Sequence, residues 1–300
     1  MDESVSNIIE GRKTFFIVPD VSLLPDSYLE DYMARGYEAY FIADDRTCSL
    51  DKKIEALMTL FTDSIFFFYI DSKVESIEWP HYIRYLQETY GNNALIGVLY
   101  AKRESSSEKT ALEKYYLFDV GIQCGCISLE YQKEKNFGLI DKVLYANQAV
   151  GRRKNVRAIA DNISKVNFEY HKKKLNAKLV DVSLSHFSCV VDENIYIPMY
   201  EKLTDIYVEA GGLHFITDGI VILERSIEDG KNLLVFVFVR RSDGQQGLEW
   251  DIKQRLSERI YVMITDKVKN IMNLVFQEIG RNPKPGERRG FKAEDLERLL

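Results

Sequence analysis

The sequence predicts a two-domain protein, in which a doubly wound α/β parallel sheet precedes an antiparallel β-barrel with a C-terminal helix. The chain has 300 residues, which exceeds the usual size of a single domain. Up to about residue 150, short and continuously apolar runs alternate with amphipathic stretches, as parallel strands and their covering helices do. Beyond about residue 160, strand-like runs follow one another directly, with turns rich in Gly, Asp and Asn between them.

The N-terminal part contains five successive βα units. Its strands are predicted from apolar runs at residues 14–18, 38–43, 64–70, 94–100 and 123–129. Its helices are predicted from the amphipathic segments at residues 26–35, 50–61, 79–90, 108–118 and 136–150. Five units of this length predict an open sheet of flavodoxin-like type with helices on both faces.

The C-terminal part is dominated by β-structure. Six strands are predicted at residues 165–171, 176–183, 187–193, 204–210, 213–225 and 232–241. The turns between the later strands contain the sequences AGG, EDGKN and SDGQQ, which is typical of an antiparallel barrel or sandwich. A helical segment follows at 247–277, and the last residues are polar and interrupted by Pro and Gly. The predicted domains are therefore 1–150 and 151–280, with a polar tail at 281–300.

Composition and charge argue against several classes of protein. A chain with 46% hydrophobic and 29% charged residues is a typical folded protein. Its net charge of -6 argues against a nucleic-acid partner, which requires an extensive basic face. There is no signal-peptide pattern and no apolar run long enough to span a bilayer, so we expect a cytoplasmic protein without membrane insertion. No catalytic or metal-binding spacing is present, so we expect neither an enzyme nor a cofactor.

Two of the four cysteines, Cys124 and Cys126, form a C-x-C sequence in a strand-like run. Alternate residues of a strand face the same side, so this pair would suit a soft metal ion if further ligands were near. No second Cys or His pair accompanies it in the sequence. We therefore expect buried, reduced thiols.

The order of elements over the first 140 or so residues resembles the receiver domain of response regulators. That resemblance implies an acidic pair after the first strand, a phosphoryl-accepting Asp after the third and a Lys after the fifth. Here Asp20 is a single acid, Asp71 lies too far along for the family spacing, and Lys133 lacks the proline that follows it in the family. The sequence thus predicts a degenerate receiver-like domain with a docking role, with Asp71 as its candidate phospho-acceptor.

A basic cluster, GRRKNVRA, occupies residues 151–158 at the predicted domain boundary. The dipole of a preceding helix accounts for one or two positive charges at its C-terminus but not for four. About 25 residues later the chain reads LVDVSLSHFSCVV. The pattern R-x-x-x-R from Arg153 to Arg157, followed by D-x-S from Asp181 to Ser183, resembles the PilZ family of bacterial cyclic di-GMP receptors.

The resemblance to the PilZ family covers residues 150 to about 280 and implies that Arg152, Arg153 and Arg157 bind cyclic di-GMP. Arginine suits this ligand because its guanidinium group binds phosphate with two parallel hydrogen bonds. It also reaches guanine O6 and N7 and stacks on purine faces, which lysine cannot do.

The second half of the pattern implies ligand contacts from Asp181, Ser183 and His186. The Asp181 carboxylate would accept from guanine N1–H and N2–H, and the Ser183 hydroxyl would bond to the base or to a phosphate. His186 stands where the family has glycine, so its side chain would narrow the pocket. A turn at the strand end, closed by Asp181 or Ser183, is the alternative interpretation of the same residues.

These patterns predict a bacterial second-messenger receptor or adaptor. Cyclic di-GMP would gather the arginines between the two domains and change either the domain arrangement or the docking of a protein partner. The sequence does not identify that protein partner. Two alternatives stay open: a PilZ-like protein–protein adaptor that does not bind cyclic di-GMP, and a phosphorylatable response regulator.

Overall fold

The computed structural model describes residues 12–19, 29, 31–32, 35–45, 47–101, 103, 105–130, 132–149, 157–191, 195–227 and 230–281. The chain divides into two compact units, the first made of Met1–Lys154 with Val268–Leu300 and the second of Asn155–Lys267. The predicted fold class is confirmed, because the first unit holds a parallel sheet with helices and the second an antiparallel barrel followed by a long helix.

The five strands of the first unit are β1 (Lys13–Ile17), β2 (Glu38–Ile42), β3 (Ser64–Tyr69), β4 (Ala94–Ala101) and β5 (Cys126–Leu129). They pair in parallel in the order β2-β1-β3-β4-β5. This is the strand order of flavodoxin-like sheets, in which ligands bind beyond the carboxyl ends of the strands at the reversal between β1 and β3.

The helices of this unit are α1 (Leu50–Leu60), α2 (Trp79–Tyr90), α3 (Ser106–Lys114) and α4 (Lys133–Ala146). The predicted helix at 108–118 begins earlier, where the Ser105 hydroxyl accepts from the Glu108 amide at 3.4 Å, and it continues as a π-helix over Tyr115–Val120. Of the predicted helix at 26–35, the described residues Leu29, Asp31 and Tyr32 are helical.

Adjacent residues of each central strand enter opposite hydrophobic cores. Phe15 and Phe66 are buried in one core, and their neighbours Phe16 and Phe67 in the other. This burial on both faces is why the strands are apolar at every position.

The first of these cores also contains residues from the C-terminal helix, among them Val268, Ile271 and Val275. The compact units therefore differ from the predicted domains in assigning the end of that helix to the α/β unit. The reason is burial, because these side chains pack into the core of that unit.

In its described residues the second unit contains seven strands, namely β6 (Ala158–Ile159), β7 (Lys165–Tyr170), β8 (Lys173–Val182), β9 (His186–Val191), β10 (Lys202–Ala210), β11 (Leu213–Ser226) and β12 (Asn232–Val239). The pairing order is β6-β8-β7-β10-β11-β12-β9, and β9 pairs again with β8. The six longer strands thus close a barrel, and β6 pairs with the end of β8 beyond the part that pairs with β7.

The barrel strands alternate between interior and solvent. On β8, for example, Leu175, Ala177 and Leu179 are buried while Lys174 and Lys178 are exposed. This alternation explains the period of two in the sequence.

A final helix, α5 (Trp250–Arg281), begins in the second unit and ends in the first. The predicted tail beyond residue 281 lies outside the described residues. Within the described ranges, none of the helices has the length and apolarity needed to cross a membrane.

Candidate functional site

The short strand β6 brings Arg157 next to Asp181. Ala158 pairs with Val182 and Ile159 with Asp181, so the residue before β6 lies beside the end of β8. The Arg157 Nη1 atom lies 3.7 Å from Asp181 Oδ2, and the two side chains are 38% and 22% exposed. The two halves of the sequence pattern therefore meet at one end of the barrel. Arg152 and Arg153 lie outside the described residues.

The strand that carries Arg157 is also held by the C-terminal helix. Lys267 Nζ donates to the Ile159 carbonyl oxygen at 2.8 Å and to the Ala160 carbonyl oxygen at 3.3 Å. Burial lowers the pKa of the Lys267 ammonium group, and Asp161 opposes this effect. Lys267 thus satisfies two backbone acceptors, one at the end of β6 and one directly after it.

Ser183 closes the tight connection between β8 and β9. Its hydroxyl accepts from the His186 amide at 3.0 Å and donates to the His186 carbonyl at 3.1 Å, and its own amide donates to the same carbonyl at 2.8 Å. The side chain is buried. This is the serine turn given above as the alternative interpretation. Any direct contact of Ser183 with a ligand stays a prediction.

His186 begins β9 and is half-buried beside Ser185, whose hydroxyl lies 2.7 Å from His186 Nδ1. Burial lowers the pKa of His186, nearby Arg157 lowers it further, and Asp181 raises it. The imidazole is therefore neutral at neutral pH.

A cleft of about 270 Å³ opens beside this turn. It is lined by Leu184, Ser185, His186, Ile222, Val237, Gln246 and Gly247. The segment between β12 and α5 is held at the cleft by two hydrogen bonds. The Gly247 amide donates to the Phe238 carbonyl at 2.8 Å, and the Phe238 amide donates to the Ser185 carbonyl at 3.1 Å. The distant members of the lining, such as Ile222 and Gln246, could not be predicted from the sequence, because only the closed barrel brings them to the cleft.

Asp71 lies at the carboxyl end of β3, at the edge where the receiver resemblance expects its chemistry. Its Oδ2 accepts from the Ala101 amide at 2.7 Å, and its Oδ1 accepts from the Arg103 guanidinium group. Both oxygens are thus engaged within the fold. Asp20 lies outside the described residues, and those that are described contain no cluster of three or more Cys, His, Asp or Glu that would hold a metal.

The two cysteines of the C-x-C sequence lie on opposite faces of the sheet, which corrects the expectation that they share one side. Cys124 is buried in one core of the α/β unit, and Cys126 packs against the other. The strand begins only at Cys126, because Gly125 before it has a φ of 76° and breaks the alternation. Burial raises the pKa of both thiols to about 12, so they are protonated and inert.

No family model matches this chain, and no curated protein does. Solved structures that resemble it include the PilZ domain with c-di-GMP of YcgR from Escherichia coli, at 19% identity and a TM-score of 0.32, covering 40% of this chain and 95% of that one. The MrkH–c-di-GMP complex of K. pneumonia has 13% identity and a TM-score of 0.34, covering 40% and 55% of the two chains. The PlzA protein of Borreliella burgdorferi in complex with c-di-GMP has 15% identity and a TM-score of 0.24, covering 43% and 47%.

These structures are PilZ-like and align with about 40% of the chain, which spans about half the length of MrkH and PlzA. Their TM-scores lie below 0.5, so they carry no weight for individual residues, and the site stands on its own geometry. The receiver resemblance of the first unit stays a prediction.

Proposed function

We propose that the second unit is a non-enzymatic receptor for cyclic di-GMP. The ligand binds at the barrel end formed by Arg157, Asp181 and the Ser183 turn, together with Arg152 and Arg153 from the preceding segment. The observation that carries the proposal is the ion pair between Arg157 and Asp181, because it joins the two separated halves of the sequence pattern.

The chemistry of that pair suits exchange with an anionic ligand. At 3.7 Å the nitrogen and oxygen atoms are farther apart than in a hydrogen bond, and both side chains reach solvent. Such a pair contributes about 0–1 kcal/mol to stability, so little is lost when it opens. A ligand phosphate then takes the guanidinium group of Arg157, and the released Asp181 carboxylate accepts from guanine N1–H and N2–H.

The turn and the cleft give the site its shape. Ser183 fixes the connection, and the neutral His186 lines the adjoining cleft. A volume of about 270 Å³ is below the roughly 300–1,000 Å³ of pockets that enclose a whole small molecule. The cleft therefore takes one ring of the ligand, while the phosphates stay on the arginine side.

Binding of this kind orders the arginine segment against the barrel. A dianion that bridges several guanidinium groups cancels their mutual repulsion and fixes the segment in one position. The output is a changed domain arrangement or a changed surface for a protein partner.

Calorimetric titration of the full chain with cyclic di-GMP tests the proposal. We expect saturable binding that is lost in Arg153→Ala and in Arg157→Ala. Arg255→Ala is the matched control, because Arg255 is an exposed arginine of the same unit on α5, and it should bind as the wild type does. Absence of binding heat and of a melting shift in the wild type would overturn the proposal.

A protein–protein adaptor that does not bind the nucleotide is the second candidate. Two observations favour it: His186 fills the position where the family has glycine, and the Ser183 hydroxyl is already engaged by the turn. In that case the wild-type protein would not bind cyclic di-GMP, and the His186→Gly variant would bind it. A receptor, in contrast, binds before the substitution is made.

A further inference from the structure

The hairpin between β7 and β8 carries a dense positive charge on an acidic protein. Its tip reads HKKK at residues 171–174, and all four residues are exposed. The chain as a whole has a net charge of -6. We refer to residues 171–174 as the lysine hairpin.

The lysine hairpin lies beyond the strands that flank it. Strand β10 pairs with β7 only at Lys165, Val166 and Asn167, and β9 pairs with β8 from Ala177 onward. Between these limits, the described residues of β7 and β8 pair only with each other. The base of this extension is anchored, because Phe168 and Leu175 are buried, so the tip is presented on a fixed support.

The turn itself adopts a backbone conformation that is unfavourable for its residues. His171 and Lys172 form the two-residue connection and have φ values of 49° and 63°. Positive φ at both central residues is the mark of a type I′ turn, in which Asn and Gly are strongly preferred. His171 and Lys172 thus stand where the backbone alone favours Asn and Gly.

The lysines of the tip have no partners within the described part of the chain. Lys165 on the same strand pair forms an ion pair with Glu209 at 3.2 Å. No ion pair is recorded among the described residues for Lys172, Lys173 or Lys174. Three adjacent ammonium groups are therefore exposed at the tip, and the nearest acidic position is Glu169, which lies opposite Lys174 in the β7–β8 ladder.

We propose that the lysine hairpin docks the protein onto an anionic membrane surface. A projecting two-residue tip contacts a plane without rearrangement, and lysine ammonium groups are attracted to lipid headgroups as point charges. A nucleic acid is a less suitable partner for the lysine hairpin, because its backbone requires a long row of basic residues. Glu169 and Glu209 interrupt the row of positive charge along the sheet. This docking is independent of the nucleotide site.

Vesicle co-sedimentation of the full chain tests this proposal. Vesicles of phosphatidylcholine with phosphatidylserine are compared with pure phosphatidylcholine, at low and at high salt. We expect binding to the anionic vesicles alone, weakened by salt. The triple substitution Lys172→Gln, Lys173→Gln, Lys174→Gln should weaken it by about two orders of magnitude, at about fivefold for each lysine.

The matched control is the triple substitution Lys114→Gln, Lys142→Gln, Lys253→Gln, which changes the net charge equally at exposed lysines elsewhere. It should bind anionic vesicles nearly as well as the wild type. Equal loss in both triple variants would overturn the proposal in favour of net charge alone. Failure of the wild type to bind anionic vesicles, or tighter binding to a DNA duplex of equal phosphate concentration, would also overturn it.

Discussion

Two arginine–aspartate pairs, one in each unit, differ in how completely the carboxylate is used. At the edge of the parallel sheet, Asp71 accepts from the Ala101 amide with one oxygen and from Arg103 with the other. At the end of the barrel, Asp181 has one ion pair within the described residues, to Arg157 at 3.7 Å. The aspartates are 21% and 22% exposed, so burial does not distinguish them.

The difference lies in the hydrogen bonds. A carboxylate with a backbone amide and a guanidinium group on its two oxygens is part of the structure, and releasing it breaks both bonds. A carboxylate in one long pair is free to change partners at little cost. The same two residue types therefore stabilise a loop in one unit and form a looser pair at the proposed ligand site in the other.

The contrast between Asp71 and Asp181 should have its largest effect on the binding of cyclic di-GMP. Asp181→Ala should remove about 2–5 kcal/mol of binding free energy for cyclic di-GMP, because it deletes the acceptor for guanine. Asp71→Ala should leave the affinity unchanged. Titration calorimetry on both variants makes the measurement, and equal losses in the two would contradict the distinction.

For stability, we expect the larger effect from Asp71→Ala and the smaller one from Asp181→Ala. Asp71→Ala should lower the free energy of unfolding of the first unit by about 1–3 kcal/mol, since an amide and a guanidinium group lose their acceptor. Asp181→Ala should cost about 1 kcal/mol or less in the second unit. The buried Trp79, whose Nε1 donates to the Ser72 carbonyl at 2.7 Å, reports unfolding of the first unit by fluorescence.

Trp79 becomes the sole tryptophan in a Trp250→Phe background, because the chain has two. Hydrogen exchange of the β8 amides serves as the corresponding measure for the second unit. A larger loss from Asp181→Ala than from Asp71→Ala would show that the barrel pair is structural.

A smaller effect is expected of pH on the affinity for cyclic di-GMP, and it would test the role of His186 at the barrel site. In the free protein, burial and Arg157 hold the pKa of His186 below its ordinary value. A bound phosphate raises that pKa by adding negative charge and occupying Arg157. The complex then binds more protons than the free protein, so affinity rises as pH falls.

Titrations from pH 7.5 to 5.5 should show the affinity rising by about three- to tenfold. His186→Asn should abolish this dependence, and His214→Asn in the same unit should retain it. A pH dependence that survives His186→Asn would assign the proton to another group.

The smallest effect expected is on phosphorylation of the first unit. Both oxygens of Asp71 are engaged, so incubation with acetyl phosphate and Mg²⁺ should leave the mass of the protein unchanged. Intact-mass spectrometry makes this measurement. Incorporation of one phosphoryl group that is lost in Asp71→Ala would support the phosphorylatable regulator instead.

The sequence predicted both folds because their signals are local. Apolar runs such as that around Phe66 and Phe67 indicate a strand buried on two faces, and alternation such as Lys174 to Lys178 indicates a strand buried on one. These periods depend only on neighbouring residues. The closure of the barrel by β8 and β9 could not be predicted in the same way, because it pairs strands according to tertiary packing.

The site was predictable only in part. The order of Arg157, Asp181 and Ser183 suggested that they would meet, and β6 brings the first two together. The use of the Ser183 hydroxyl inside the turn and the contribution of Gln246 to the cleft depend on contacts between distant segments. The expectation that Cys124 and Cys126 share one side was wrong because one backbone angle, at Gly125, reverses the direction of a side chain.

The two-residue strand β6 has a consequence for the order in which the arginines engage a ligand. It is fastened on one side by β8 and on another by the ammonium group of Lys267. Arg157 is the residue next to this double attachment, so its backbone loses little conformational entropy when a phosphate arrives. If the second unit is the proposed receptor, Arg157 therefore sets the starting position of the complex.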